Sequence, residues 1–493
     1  MQDSKQLDLS LKTLAATMFL GVAGDLLLRD VPWGIGFAMY AFVILAVGTY
    51  LFRNRTLEFG KGVLWVVPPA LLFASLFAWR DSNDLKVLNG VCLALLIGVL
   101  ALRARSGRLG IATLIDYPCR LVERWIRFLA DFVELLGLEG NAKGLLQQRG
   151  GGRMAAGARG LLIAAPLLLV FGVLFASSDA VFSHFAERAF SFDFGDVCSH
   201  VAITVACVWI VGGFLRRVFL VAERPPVCSS EPKPSTVHKI GITEITVVLS
   251  TLNALFLSFV AVQFRYLFGG AALVQRTAHL SYADYAHQGF FQLVLVAFLG
   301  LAVLVGAHAF VRKENGRDWR SFAALAFTLV TLIFVVMASA ATRLQLYVEA
   351  YGITRERLYA MAVLLWLVLV FCWFCATTLR RSSERFSAGA LATLFVVVFG
   401  LNLLNPDGFI AKMNTSGSLA RIDGEYLASL SDDAVPQLVS SIPHLPSAAR
   451  DKVTSTLIAR RKELEAEDWR SWNLAEVDAK QALERASVHA SKR

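Results

Sequence analysis

Runs of about twenty apolar residues recur along this chain, and that is the length an α-helix needs to cross the hydrocarbon core of a bilayer. They fall at residues 10–28, 33–52, 62–79, 85–102, 159–177, 197–220, 241–268, 288–311, 319–341, 358–379 and 386–404. Inside hydrocarbon a backbone must satisfy its own N–H and C=O groups, so such runs fold as helices. Alternating ten-residue segments, the mark of a membrane β-barrel, are absent. The expected fold is all-α: a polytopic transmembrane helical bundle of about 11 spans with a small C-terminal helical extramembrane segment. Composition agrees. Of the 493 residues, 56% are hydrophobic and 17% charged, against about 45–50% and about 25% in a soluble domain.

Residues 1–102 hold four spans, a first bundle. The first run resembles a signal peptide in length, but it lacks a small-x-small cleavage site and contains Asp25, so it reads as an uncleaved helix. Residues 103–158 are too polar to cross. There Leu121, Trp125, Phe128, Phe132 and Leu136 recur at helical spacing, opposite Arg120, Glu123, Arg124, Arg127, Asp131 and Glu134. An amphipathic helix of this kind lies on an anionic membrane surface or docks on the protein's own helices, and both readings stay open. The Gly-rich linker QQRGGGRMAAGARG follows, without the Gly-Lys-Ser/Thr of a phosphate-binding loop. Residues 159–404 carry seven further spans, with the Pro-rich linker ERPPVCSSEPKPS between two of them. No internal repeat marks the inverted symmetry common in transporters.

Lys and Arg set the orientation of such a protein. With the N-terminus inside, the inner segments carry 27 of the 48 basic residues, the outer loops 9 and residues 405–493 the remaining 12. This bias puts the N-terminus in the cytoplasm. An odd number of spans then puts the C-terminal segment outside, in the periplasm of a bacterium. The net charge of +10 is accordingly a topology signal, and no nucleic acid is expected as a partner. In the C-terminal segment, Ser431 or Asp432 caps a helix carrying Val435, Leu438 and Val439, and Pro443 and Pro446 punctuate it. Residues 447–467 and 469–486 read as two more helices. The segment is either a solvated cap or a docking surface for a periplasmic or membrane protein partner, and the lipid bilayer is the other partner.

Three polar clusters fall on the outer side. Ser281 opens a Ser-x-x-Asp capping box, after which Tyr285, Gln288 and Gln292 share a helical face. Gln263 and Arg265 end the incoming helix. In ATRLQLYVEAYGIT, Arg343, Tyr347 and Tyr351 share a face, Gln345 and Glu349 lie beside it, and Gly352 suits a left-handed C-cap. Arg343 and Glu349 are charges able to pair if the clusters meet. The last span ends in LNLLNPDGFI, where Asn405 precedes proline and Asp407-Gly408 is expected to turn. The candidate outer-face pocket is therefore Gln263, Arg265, Tyr285, Gln288, Gln292, Arg343, Tyr347, Glu349, Asn405 and Asp407. Interfacial anchoring of tyrosines and helix capping account for the same residues without a ligand.

Asp25 is an intramembrane acid close enough to the interface to be hydrated. Asn253 suits an interhelical hydrogen bond, and His308 reads as structural. Cys372 and Cys375 form a CxxC in an apolar span, where packed thiols are favoured over redox or metal chemistry. His279 and His287 flank Asp284 at a spacing that fits no standard metal site. With no HExxH and no GxSxG, no catalytic residue, metal or cofactor is expected. Three readings remain. The first is a non-enzymatic envelope protein that binds, senses or scaffolds. The second is a transporter of a small solute or lipid, with Pro68, Pro69 and Pro166 as helix breaks. The third is an intramembrane enzyme on a lipid-linked substrate, with Glu349, Asp407 or a tyrosine as acid or base.

The blocks QFRYLFGG, SYADYAHQGFFQL, RLQLYVEAYGIT, LNLLNPDGFIAKMN and RIDGEYLASLSDDAVPQL occur in that order. Together they resemble a bacterial membrane-protein family known as a domain of unknown function, the four-one-seven-three group, to which the four-one-five-three group looks related. The resemblance covers the second set of spans and the start of the C-terminal segment. It implies a bacterial integral inner-membrane protein and brings no catalytic residues with it.

Overall fold

The structure, a computed structural model, describes residues 2–29, 31–53, 64–106, 194–219, 242–268, 290–310, 316–380, 385–416, 423–465 and 468–491. Its regular elements there are all helical. Ten helices make the bundle: α1 Gln2–Leu28, α2 Ile35–Arg53, α3 Val67–Ser75, α4 Asn83–Ser106, α5 Phe194–Phe219, α6 Ile242–Phe268, α7 Phe290–Phe310, α8 Gly316–Tyr351, α9 Arg355–Thr377 and α10 Phe386–Leu404. Among the described residues eight are long and apolar enough to cross a membrane; α2 and α3 are shorter apolar helices. Each expected span except 159–177 therefore has a helix. That span, the amphipathic stretch from Leu121 to Leu136, the Gly-rich linker and the Pro-rich linker lie outside the described residues.

Local sequence explains where the helices differ from expectation. The run of α8 was expected to end near 341, yet the helix continues to Tyr351. No proline or glycine stands between Ala341 and Tyr351 to stop it, so the helical face read over Arg343, Tyr347 and Tyr351 is the continuation of the span itself. Gly352 does stop it. At φ 79° it adopts the left-handed conformation that glycine alone takes without strain, and its N–H bonds the Val348 carbonyl at 2.8 Å. Pro68 and Pro69 do not break a helix; they stand in the first turn of α3, where a missing N–H costs nothing.

Among the described residues, three larger apolar cores run through the bundle. Leu329, Ile333, Leu367 and Phe371 centre one among α6–α9. Leu20, Leu51 and Leu215 join α1 and α2 to α5. Phe73, Leu96 and Val398 join α3 and α4 to α10. The first four helices thus complete their cores with helices from beyond the polar insert. Polar side chains inside serve packing: Asn253 donates to the Leu325 carbonyl at 3.0 Å, and His308 packs on Trp319 and Phe322. On the outside, Leu11, Phe19, Val22 and Leu26 form an exposed stripe along α1, which suits acyl chains as solvent.

A helical cap closes one end. It comprises α11 Pro406–Ser416, α12 Gly424–Ala428, α13 Val435–Ser441, α14 Ser447–Glu465 and α15 Leu474–Ser491. The last three match the expected helices; α11 and α12 were not foreseen. Leu427, Val435, Leu438, Val453, Leu457 and Leu483 form its core, and Ile353 from the α8–α9 turn and Leu358 from the start of α9 complete it. The cap shares its core with the bundle and is more than an appendage. It is also pinned to α1 and α2. The Ile35 and Gly36 N–H groups bond the Trp472 and Arg470 carbonyls at 2.9 Å each, and Arg470 donates to the Leu26 carbonyl at 2.8 Å. That last bond satisfies a carbonyl that the end of α1 leaves without a helical partner.

Candidate functional site: the polar seam beneath the cap

Asn405 is the pivot between bundle and cap. It sits in the left-handed region at φ 54° and ends α10, its N–H on the Leu401 carbonyl at 3.2 Å. Its Oδ1 then accepts the Gly408 N–H at 3.1 Å, so the same residue caps the start of α11. Pro406 follows at the first helical position, preset for it. The expected Asp407-Gly408 turn is therefore the first turn of a new helix. Asparagine tolerates the left-handed conformation, and its amide supplies the cap.

That geometry drives Asp407 inward, to full burial. Arg355, at the start of α9, meets it with two donors: Nε to Oδ1 at 2.8 Å and Nη2 to Oδ2 at 2.6 Å. The Ser431 N–H adds a third bond at 2.9 Å. Burial alone would raise the Asp407 pKa, but Arg355 and Ser431 outweigh it and hold the carboxyl below its usual range.

Asp433 makes the matching contact with the α3–α4 turn. Its Oδ2 accepts the N–H groups of Asp81 and Ser82 at 2.8 and 3.0 Å, and Arg80 Nη1 reaches Oδ1 at 3.1 Å. A carboxylate from the cap thus caps the N-terminus of α4, where the helix dipole favours negative charge. Burial pushes its pKa up, against the pull of Arg80 and the two N–H donors. Of Ser431 and Asp432, the two residues expected to cap the following helix, Ser431 takes the N-cap position, but its side chain makes no capping bond. Arg80 also bonds the Asn402 carbonyl at 2.8 Å. Below it Asn89 and Asn402 exchange amide hydrogen bonds at 3.0 and 2.9 Å, both fully buried. Lys86, likewise buried, pairs with Asp81 at 3.0 Å. Tyr426 accepts the Arg355 N–H at 2.7 Å, and Asn414 bonds both the N–H and the carbonyl of Ile353.

A buried charge is costly unless paired and hydrogen-bonded. Both carboxylates here have each oxygen occupied by a donor, so neither is poised to take a proton from a substrate. The seam fastens the cap to the turns α1–α2, α3–α4 and α8–α9.

Of the expected pocket, Asn405 and Asp407 stand in this seam. Tyr347 lies under the Arg357 guanidinium, 4.1 Å from ring centroid to carbon. Glu349 is exposed and accepts from Gln345 at 3.1 Å; Arg343 is half-buried, and Gln292 is exposed on the first turn of α7. Tyr285, Gln288, Ser281, His279, Asp284 and His287 lie outside the described residues, as do the side chains of Gln263 and Arg265. The partners that complete the seam, Arg80, Asp81, Lys86, Asn89, Arg355, Asp433 and Tyr426, were not singled out. One signal was present: WRDSNDLK is a charged turn hemmed between apolar runs, and each charge there needs water or a partner. Asp25 is buried, its Oδ2 2.6 Å from His200 Nδ1 of α5. Among the described residues no group of three or more His, Cys, Asp or Glu is arranged to hold a metal.

Membrane-length helices closed at one end by a helical cap define a multi-pass integral membrane protein. The chain belongs to the DUF4153 family, a domain of unknown function, whose match spans residues 66–441. This is the group that the sequence blocks placed as related to their first choice. The match reaches further than those blocks, since it takes in α3, α4 and their turn and closes with the end of α13. No curated protein and no solved structure matches the chain.

Proposed function

We propose that the protein is a non-enzymatic membrane protein of the bacterial envelope whose cap binds a periplasmic or membrane protein partner, in a sensing or scaffolding role. The observation that carries this reading is the outer face of α14. Its inner positions Ala449, Val453, Leu457 and Leu464 are buried, while Asp451, Lys452, Lys462 and Glu463 face outward around Ile458. Ile458 is 59% exposed, an aliphatic anchor within a charged rim, as protein interfaces favour. The satisfied carboxylates of the seam argue in the same direction, away from acid–base chemistry.

The reading takes the membrane to be the inner one, with the N-terminus cytoplasmic and the cap periplasmic. The distribution of Lys and Arg supports that orientation, and so does the attachment of the cap to the C-terminal end of α1, opposite the N-terminus.

In a deletion strain with an envelope-stress growth defect, Ile458→Asp and Lys452→Glu are expected to lose complementation at wild-type membrane abundance. Full complementation by both would remove the cap face from the argument. Fusions after Arg493 test orientation: alkaline phosphatase is expected to be active and a cytoplasm-fluorescent protein dark. The reverse pattern would turn the cap toward the cytoplasm.

A further inference from the structure

The stretch from Trp469 to Glu476, which enters α15, has the wrong pattern for a surface in water. Its polar side chains turn in. Ser471, Asn473 and Glu476 are buried, and Asn473 donates to Glu476 Oε1 at 2.8 Å while its Oδ1 accepts the Glu476 N–H at 3.0 Å. Its apolar side chains turn out: Trp469 is 61% exposed, and Trp472 and Leu474 are exposed as well. Among the described residues the cap exposes five large apolar side chains, the other two being Met413 and Ile458. Three of the five thus fall within six residues, which sets this edge apart from the rest of the cap. Folding in water favours the reverse arrangement, apolar in and polar out. A cluster of apolar groups left outside marks contact with something other than water.

Backbone bonds fix where this stretch sits. The Arg470 and Trp472 carbonyls hold the Gly36 and Ile35 N–H groups, and Arg470 Nη1 reaches the Leu26 carbonyl. Leu26 stands in the last turn of the membrane-length α1, and Ile35 begins the apolar run of α2. The stretch therefore lies at the level where α1 leaves the hydrocarbon and α2 enters it. Phe19, Val22 and Leu26 form an exposed stripe at helical spacing, and the stripe ends at Leu26, the residue that Arg470 holds. Trp33, two residues before Ile35, is a further exposed indole. Arg470 brings little net charge to this edge, since its Nε and Nη2 pair with Asp468 at 3.0 and 2.7 Å.

We propose that this edge of the cap, Trp469, Trp472 and Leu474, is set into the headgroup and glycerol layer of the lipid bilayer, at the end of the lipid-facing stripe of α1. An indole suits that layer because its apolar body leaves water while its N–H keeps a polar partner. With Asp468 and Arg470 paired, the contact rests on apolar burial and needs no anionic lipid. The inference concerns the edge that meets α1 and α2. It does not depend on the partner proposed for the outer face of α14, nor on which side of the membrane the cap lies.

The test uses the full chain in phosphatidylcholine nanodiscs, whose two faces both meet the solution. A nitroxide is attached at position 474, or in a second sample at position 458, through a keto amino acid that leaves the native cysteines untouched. Relaxation of the label is read with oxygen, which partitions into lipid, and with a neutral nickel chelate, which stays in water. The ratio of oxygen to nickel effect is expected to be several-fold higher at 474 than at 458. Trp469→Asp with Trp472→Asp, both at exposed positions, is expected to bring the ratio at 474 down to that at 458, because charge is costly in this layer. Equal ratios in the chain with both tryptophans would put the edge in water and overturn the proposal. So would a label at 474 shielded from both reagents, which would mean a second copy of the chain covers it. A high ratio that survives both aspartates would show that the tryptophans do not hold the edge in lipid, and would overturn it equally.

Discussion

Arg355 spends two donors on Asp407, and the Ser431 N–H completes the carboxylate. Removing one partner of a buried pair leaves the other charge uncompensated, so Asp407→Asn is expected to cost about 3 kcal/mol. Differential scanning calorimetry of the detergent-solubilised protein would read it as a lower unfolding temperature. The pair also makes a pH prediction with a definite sign. The Asp407 pKa is lowered in the folded state, so its contribution is complete above the usual carboxylate range and is lost as pH falls through the lowered value. Asp433 is shifted the other way, which makes the difference between wild type and Asp407→Asn the informative quantity. That difference is expected to be constant from neutral pH down to the usual carboxylate range and to shrink below it. A difference that stays unchanged into strong acid would mean that Asp407 is not ionised in the fold.

The α10–α11 junction turns on one residue with two capping roles. Asn405→Gly keeps the left-handed backbone and loses the side-chain bonds to Gly408 and to the Asp433 carbonyl, at a cost of about 1 kcal/mol or less. Asn405→Val loses the same bonds and adds the strain of a β-branched residue at positive φ, about 1–2 kcal/mol more. Unfolding midpoints should therefore fall in the order wild type, Gly, Val; a valine variant as stable as the glycine one would show that the backbone there is not left-handed. The ends of these elements were partly legible in the sequence. Gly352 as a stop and Asn405 before Pro406 were read correctly, because they follow from local backbone preference. The continuity of α8 through its polar end and the identity of α11 were not. Polar residues at a span's end suggest a loop, yet a helix leaving the membrane carries polar residues for the same reason a loop does.

Across the whole molecule, the cap is held by contacts that join residues some 350 positions apart in sequence. Arg80→Ala removes the charge that meets Asp433 and is expected to let the cap open more often. Trypsin cleavage after Lys452 and Lys462 in α14 should then speed up about tenfold, since proteolysis samples such openings. An unchanged rate would mean that the apolar contacts of Ile353 and Leu358 hold the cap by themselves. The sequence alone determined the fold class, the position of most spans and the last three helices of the cap. These depend on hydropathy and period, which are local and additive along a chain. It also pointed to Asn405 and Asp407, since helix ends announce themselves in a few residues. Only the tertiary structure decided that Asp407 belongs to Arg355 and Asp433 to Arg80. Such pairings depend on which turns share one end of the bundle and how far each helix runs, and no local pattern encodes a distance across the fold. For the same reason a satisfied carboxylate and a reactive one read alike in the sequence, and only the donors around them tell them apart.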